Sequence, residues 1–294
     1  MIGEKDIMAL ARKYYPGLGE VYAVTSMGGG ACRVLFNDRE AVLKFHAHWV
    51  RERILLLEDV MRAAYSAGLG AFVFPSKAGT LLVKEGEDVF SLQMALVGEA
   101  PAKRDIHVAA TFLGRLHRIL AKVQHREVKH HLFIGGAGLP ELARNQGLMA
   151  EAEMAEPAEL WLKKGLAQLV HGDPHPANMV LSGEAIRFID FDSTHVGSPA
   201  QEAAFAAFRL VGADTDGITD FAETYGREYP DSGLTPALAG TLALHGVLRR
   251  LVFILSERDR GESRWMSDLK NQRRFVEEAL QLAVDLQANK GADL

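Results

Sequence analysis

The sequence predicts an α+β protein of two lobes: a small antiparallel β lobe with one helix over residues 1–97, and a larger, mainly helical lobe over residues 98–294. Three observations predict it. Residues 21–46 fall into three short runs with the alternation of half-buried strands. Beyond Gly98-Glu99-Ala100-Pro101 the apolar spacing changes to three and four, the period of helices. The helical stretch is interrupted once, at Leu169 to Asp192, by a loop rich in proline and glycine and a candidate hairpin.

In order along the chain, Val21 to Val24, Cys32 to Phe36 and Ala41 to Phe45 read as three antiparallel strands. Gly28-Gly29-Gly30 joins the first two and Asn37-Asp38 the second two, residue types that close tight turns because they tolerate positive φ. Ile54, Leu57, Met61, Ala64 and Tyr65 then recur at helical spacing, and Gly68 ends that helix. Leu81 to Lys84 and Phe90 to Leu96 are two further strands across the polar link Glu85-Gly86-Glu87-Asp88. In the second lobe helices are expected over Ile106 to Val123, within 141–168, and near 200–212, 217–228, 235–256 and 265–288. A β-rich lobe joined to a helical one implies a cleft, the default place for a ligand.

Composition narrows the chemistry. At 294 residues, 48% apolar and 24% charged, the chain can bury a full core without disulfide or metal staples. Its 38 acidic against 33 basic residues, net −5, leave no positive excess to track a nucleic acid or an anionic membrane. One cysteine makes no internal bridge and no CxxC zinc site, which fits a reducing cytoplasm. The N-terminus shows no signal-peptide run, and the longest apolar stretch, Leu242 to Leu255, is broken by His245, Arg249 and Arg250, so no membrane span is expected.

Most of the chemistry lies in Val170-His171-Gly172-Asp173-Pro174-His175-Pro176-Ala177-Asn178 and the hairpin that follows to Asp192. Two prolines and a glycine within six residues forbid a regular helix, so Asp173 and Asn178 are expected on a constrained loop. With the turn centred on Gly183-Glu184, antiparallel register puts Asn178 opposite Ile189 and next to Asp190. Two oxygen-bearing side chains then converge at one end of the hairpin, donors that suit Mg²⁺, with Asp173 placed to accept a proton near the metal. This is the layout of phosphoryl transfer. A transition-metal site built on His171, Asp173 and His175 is the competing chemistry. The bland alternative is a capped turn, with Asp190 and Asp192 as polar residues that end a strand.

His171 to Asn178 and Ile189-Asp190-Phe191-Asp192 resemble the catalytic loop and metal motif of the aminoglycoside phosphotransferase family, whose relatives include choline kinases and bacterial homoserine kinases. The resemblance runs from the glycine-rich turn near residue 28, through Leu113-Gly114-Arg115-Leu116-His117, and weakens after about residue 206. It implies a protein-kinase-like bilobal fold and transfer of the γ-phosphoryl group of ATP, or GTP, to a hydroxyl of a small molecule. The acceptor classes it suggests are an amino alcohol, a homoserine-like metabolite or an aminoglycoside-like antibiotic. In that case Asp173 is the catalytic base, Asn178 and Asp190 are the Mg²⁺ ligands, and the partners are a nucleoside triphosphate and the acceptor. The alternative is a regulatory module that keeps nucleotide binding and has lost turnover. One departure stands out: Gly197-Ser198-Pro199-Ala200-Gln201 leads to Glu202 where the family usually has Asp.

Lys44, in an apolar strand on the face opposite Leu43, is the cation expected on the nucleotide phosphates. Glu58 lies on the apolar stripe of the first-lobe helix, whereas Glu52 points away, so Glu58 is the expected partner of Lys44. Gly28, Gly29 and Gly30 are expected to cover the phosphates with main-chain N–H groups. By resemblance, Met94 and Leu96 stand where the family's backbone meets adenine, and His175 where it reaches the γ-phosphate or Asp173. His171 is expected to hold the loop, and Asp192 either to cap a strand end or to support the metal. The acidic residues Asp214, Asp216, Asp220 and Glu223 read as a helix start with a solvated face, ahead of a wall for a cationic acceptor. His125, His130 and His131 read as solvated, and Trp265 and Met266 as residues of the helical lobe with no assigned role.

Overall fold

Residues 3–124, 138–145, 147–259 and 266–292 are described by a computed structural model, and they fall into two units. The expectations for His125, His130, His131 and Trp265 lie outside the described residues. The fold class is α+β, an antiparallel sheet followed by a mostly helical remainder.

The first unit comprises Met1–Gly98 together with Arg187–Asp192. Helix α1 (Glu4–Tyr14) opens it, with Glu4 and Asp6 in its first turn and Arg12 and Lys13 in its last, each sign matched to the helix dipole. It buries Ile7 and Ala11 and packs on strand β1 (Val21–Gly28). Ile7, Leu10, Ala11 and Tyr14 recur at three and four residues, so its helical period is present in the sequence and the expectations above passed it over. Strands β2 (Ala31–Phe36) and β3 (Glu40–Phe45), helix α2 (Ile54–Ser66) and strands β4 (Val73–Phe74), β5 (Val83–Glu85) and β6 (Asp88–Met94) follow. The sheet order is β1-β2-β3-β6-β4, with β5 also paired to β6. Ile7, Phe36, Leu43, Phe90 and Leu92 form the centre of its core.

Gly28 pairs with Ala31, so Gly29 and Gly30 alone make the hairpin turn. Their φ values of 59° and 75° are the two positive angles a type I′ turn needs, and glycine supplies them without strain. The strand expected from Leu81 starts later, at Val83, because the N–H groups of Leu81 and Leu82 bond to the Glu58 carboxylate and to no strand partner. The strand expected to reach Leu96 stops at Met94.

The second unit comprises Glu99–Ile186 and Ser193–Leu294. Helix α3 (Ile106–Leu120) buries Leu113, Leu116 and Leu120. The one helical segment expected within 141–168 is two helices, α4 (Leu139–Asn145), which starts before those bounds, and α5 (Met149–Leu162). Strand β7 (Gln168–Val170) leads into the proline-rich loop, and β8 (Met179–Ser182) and β9 (Ala185–Phe188) form a hairpin around Gly183-Glu184. A short strand β10 (His195–Gly197) pairs antiparallel with β7 and was not expected, since three residues carry no period. Helices α6 (Pro199–Val211), α7 (Thr215–Glu228), α8 (Pro236–Asp259) and α9 (Met266–Ala292) complete the chain, with α8 packed against α5, α6 and α9. Among the described residues no helix is long and apolar enough to cross a membrane.

Candidate active site

In the first unit the chain returns at Arg187–Asp192 and delivers two carboxylates to the sheet. The Phe188 N–H bonds to the Leu69 carbonyl at 2.8 Å and anchors the segment. Two residues on, Asp190 has φ 62°, the one positive value outside glycine among the described residues. Its Oδ2 accepts from Lys44 Nζ at 2.9 Å, and Lys44 also lies 3.4 Å from the Gly29 carbonyl. Burial works against the Lys44 ammonium, but the charges of Asp190 and Asp192 outweigh it and hold its pKa above the ordinary lysine value. Lys44 therefore stays charged across the working pH range.

The Lys44–Glu58 pair expected from helical phase is corrected here. Glu58 is buried, but its Oε1 accepts the N–H groups of Leu81 and Leu82 at 2.8 and 2.9 Å, and Lys44 pairs with Asp190 instead. The inward carboxylate was legible; its partner was not, because backbone N–H groups leave no mark in a sequence. Asp192 is likewise buried. Its Oδ1 meets His46 Nδ1 at 2.6 Å and its Oδ2 accepts the Ala47 N–H at 2.9 Å. Burial pushes the Asp192 carboxyl up, yet the His46 hydrogen bond and the nearby charges prevail and set it below its ordinary value. His46 Nε2 lies 2.9 Å from Ser91 Oγ, and Arg53 donates to the Asp192 carbonyl at 3.0 Å. Sequence reasoning missed His46 and Arg53. The only available signal was a histidine two residues beyond Lys44, just past the strand end and in phase with that lysine.

In the second unit the loop between β7 and β8 is fixed from beneath by Glu202. This buried residue accepts the His171 N–H at 2.9 Å on one oxygen and the Gly172 N–H at 2.5 Å on the other. His117 Nε2 meets the same carboxylate at 2.7 Å, and His117 Nδ1 lies 2.5 Å from the Tyr225 hydroxyl. Burial raises the Glu202 carboxyl, but His117, His171 and the Gly172 N–H more than reverse it, so the pKa falls below the usual range. Glutamate in place of aspartate thus still reaches the loop. His171 is fully buried, and its Nδ1 accepts the Asp173 N–H at 3.3 Å, the holding role expected of it.

Asp173 is partly exposed on this frame. Asn178 Nδ2 donates to the Asp173 carbonyl at 2.9 Å and approaches Asp173 Oδ2 at 3.5 Å. His175 Nε2 lies 3.5 Å from Asp173 Oδ2, and Arg250 Nη1 lies 3.8 Å from Asp173 Oδ1. Burial is the main cause that lowers the His175 pKa. Arg209, Arg250 and His171 push the same way, against Asp173. A neutral imidazole beside Asp173 results at pH 7. Arg250 is a further residue missed in the sequence, where it counted only as a break in an apolar stretch.

Each unit, taken by itself, offers an oxygen donor of the kind a hard cation takes. Asn178 uses its amide nitrogen on Asp173, and its Oδ1 makes no hydrogen bond among the described residues; Asp190 presents a carboxylate. Oxygen donors of this kind suit Mg²⁺, which keeps several waters and phosphate oxygens of its own. No cluster of three or more His, Cys, Asp or Glu side chains with the geometry of a metal site occurs among the described residues. Met94 and Leu96 differ in what they can offer a base. The Met94 N–H bonds to the Phe72 carbonyl at 2.8 Å, whereas Leu96 lies past the strand end with no backbone hydrogen bond from its N–H among the described residues.

A sequence model of the phosphotransferase enzyme family, APH, matches residues 31–243. No curated protein matches the chain in sequence. Among solved structures the chain is similar to a spectinomycin phosphotransferase in complex with ADP and spectinomycin, with TM-score 0.66 and 14% identity over 97% of this chain and 99% of that one. It is similar to a microcompartment-associated aminopropanol kinase, with TM-score 0.65 and 14% identity over 96% and 98%. The choline kinase from Streptococcus pneumoniae gives TM-score 0.62 and 13% identity over 97% and 98%. At these identities the likeness carries the fold, which is protein-kinase-like. The family match covers well over half of the sequence, and on that ground the chain belongs to the phosphotransferase enzyme family.

Proposed function

We propose that the chain is a small-molecule kinase that transfers the γ-phosphoryl group of ATP to an acceptor hydroxyl. The observation that carries this reading is the 2.9 Å contact between Lys44 and Asp190, residues far apart in sequence. Phosphoryl transfer needs a lysine on the phosphates and a carboxylate for the metal that bridges them. The ADP bound in the spectinomycin phosphotransferase supports an adenine nucleotide as donor.

In this scheme Lys44 binds the α and β phosphates. The Gly29-Gly30 turn, bare of side chains, lets main-chain N–H groups approach the polyanion. Leu96, with its N–H left over, takes the adenine edge that resemblance had given to Met94 and Leu96 together. Asn178 and Asp190 hold Mg²⁺, which when bound neutralises charge on the transferred group. Asp173 accepts or orients the acceptor's proton. The bond from the acceptor oxygen to the γ-phosphorus forms as the bond to the β–γ bridging oxygen breaks, and a nucleoside diphosphate leaves. The chain contributes chiefly positioning, through Glu202 and His171 beneath the loop.

The test is release of nucleoside diphosphate from ATP or GTP with Mg²⁺, across a panel of hydroxylated metabolites and antibiotics. Asp173→Asn is expected to lower kcat by about 10²- to 10⁴-fold while nucleotide affinity stays near that of the parent. Full activity in that variant removes Asp173 as the base. Nucleotide binding without turnover on the whole panel replaces the enzyme with a regulatory module.

A further inference from the structure

The surroundings of Asp173 are basic. Arg250, from α8, stands 3.8 Å from the carboxylate, beyond hydrogen-bond length. Its Nε is buried and has no hydrogen-bond partner, while a quarter of its side chain stays exposed. Arg209, from α6, lies over the rings of Phe205 and Phe275, and its charge reaches His175 together with that of Arg250. Arg249, half-buried next to Arg250 in sequence, feels the charge of Glu202.

Two acidic groups of this unit that could recruit a cationic acceptor are engaged elsewhere. Asp214 pairs with Lys103 at 2.7 Å beside the start of α7, and Glu159 pairs with His245 at 2.8 Å. A buried Nε without a partner is costly, and Nη1 of the same guanidinium, 3.8 Å from Asp173, makes no hydrogen bond to it. The planar fork of arginine matches a carboxylate or a phosphate through two parallel hydrogen bonds.

We infer that the acceptor carries an anionic group, a carboxylate or a phosphate, which Arg250 binds while the acceptor's hydroxyl faces Asp173. The inference rests on the phosphotransferase reading above and narrows its acceptor. A bound anion takes the guanidinium away from Asp173 and frees that carboxylate for the hydroxyl proton. A purely cationic amino alcohol meets the Arg250 guanidinium instead.

Matched acceptors that differ only in the anion test this: threonine against 1-amino-2-propanol, serine against ethanolamine, and glycerol 3-phosphate against glycerol. Two readouts are used, kcat/KM from diphosphate release and acceptor binding by calorimetry, which needs no turnover. The anionic member of at least one pair is expected to lead by about 10- to 100-fold, and the pair that shows it distinguishes carboxylate from phosphate. Arg250→Met is expected to abolish that lead by raising KM for the anionic member relative to its partner, and Arg250→Lys to restore part of it. Equal or better use of the partners lacking the anion overturns the inference. So does an anion preference that survives Arg250→Met. Should Arg250→Met fail to fold, the parent ratios and Arg250→Lys decide. Failure of the kinase reading itself looks different: no nucleotide binds, and no acceptor releases diphosphate.

Discussion

Asp190 pays a conformational cost for its position. A non-glycine residue at φ 62° sits about 1–2 kcal/mol above its helical or extended alternatives, so it persists only where its surroundings hold it. Lys44 supplies the hold from one side, and Asp192, locked by His46 and the Ala47 N–H, fixes the backbone two residues on. Lys44→Ala removes the cation and leaves the Asp190 carboxylate unpaired. Nucleotide affinity is expected to fall about 10- to 100-fold, the value of a charge-assisted contact, with Lys44→Arg recovering part. Fluorescence titration with an ATP analogue checks it, and unchanged affinity in Lys44→Ala removes Lys44 from the phosphates.

The element that matters most is the loop from His171 to Asn178. Gly172 has φ 91°, and a Cβ there would stand 2.0 Å from the Ser193 carbonyl oxygen, so no side chain fits. Closing the loop this tightly lets both oxygens of Glu202 reach successive N–H groups and aims Asp173 outward. Gly172→Ala is expected to cost about 2–4 kcal/mol through strain and the displaced backbone, read as a lower urea midpoint. It is also expected to lower kcat more than it raises KM for nucleotide, because the loop carries the base. A variant as stable and active as the parent would show that the loop is not held in this way.

For the whole molecule, the pH dependence of stability has a defined sign. His245 of α8 is buried; Gln201 Nε2 donates to its Nδ1 at 2.5 Å, and its Nε2 donates to Glu159 at 2.8 Å. Burial leads the causes that lower its pKa, and Arg249 adds to it. The folded state therefore binds a proton less readily than the unfolded chain, whose histidine titrates near ~6.5. The stability from this site is complete above ~6.5 and is lost as pH falls from there through the folded pKa. His175 contributes in the same direction. Glu159 and Glu202, both depressed, lose their share in a lower window, below the ordinary glutamate value of ~4.3. The urea midpoint is expected to be flat above about pH 7.5 and to fall below ~6.5, with a shallower fall in His245→Gln. A midpoint that rises on acidification from pH 7 contradicts the assignment.

The β strands, the long helices, the proline-bound loop and the membership in a phosphotransferase family were legible in the residues, because periodicity, turn chemistry and motif spacing are local properties of the chain. Asp173, Asn178, Lys44 and Asp190 could be named as candidates from those patterns. Their hydrogen-bond partners could not. Glu58 turned to backbone N–H groups, Lys44 to Asp190, and Glu202 to His117 and the loop, while Arg250 came to stand beside Asp173 from a helix that read only as apolar. A sequence determines which side chains must face inward; which of the many inward polar groups then satisfies which is settled only when distant segments pack, since a contact of 3 Å depends on the whole path of the chain between them.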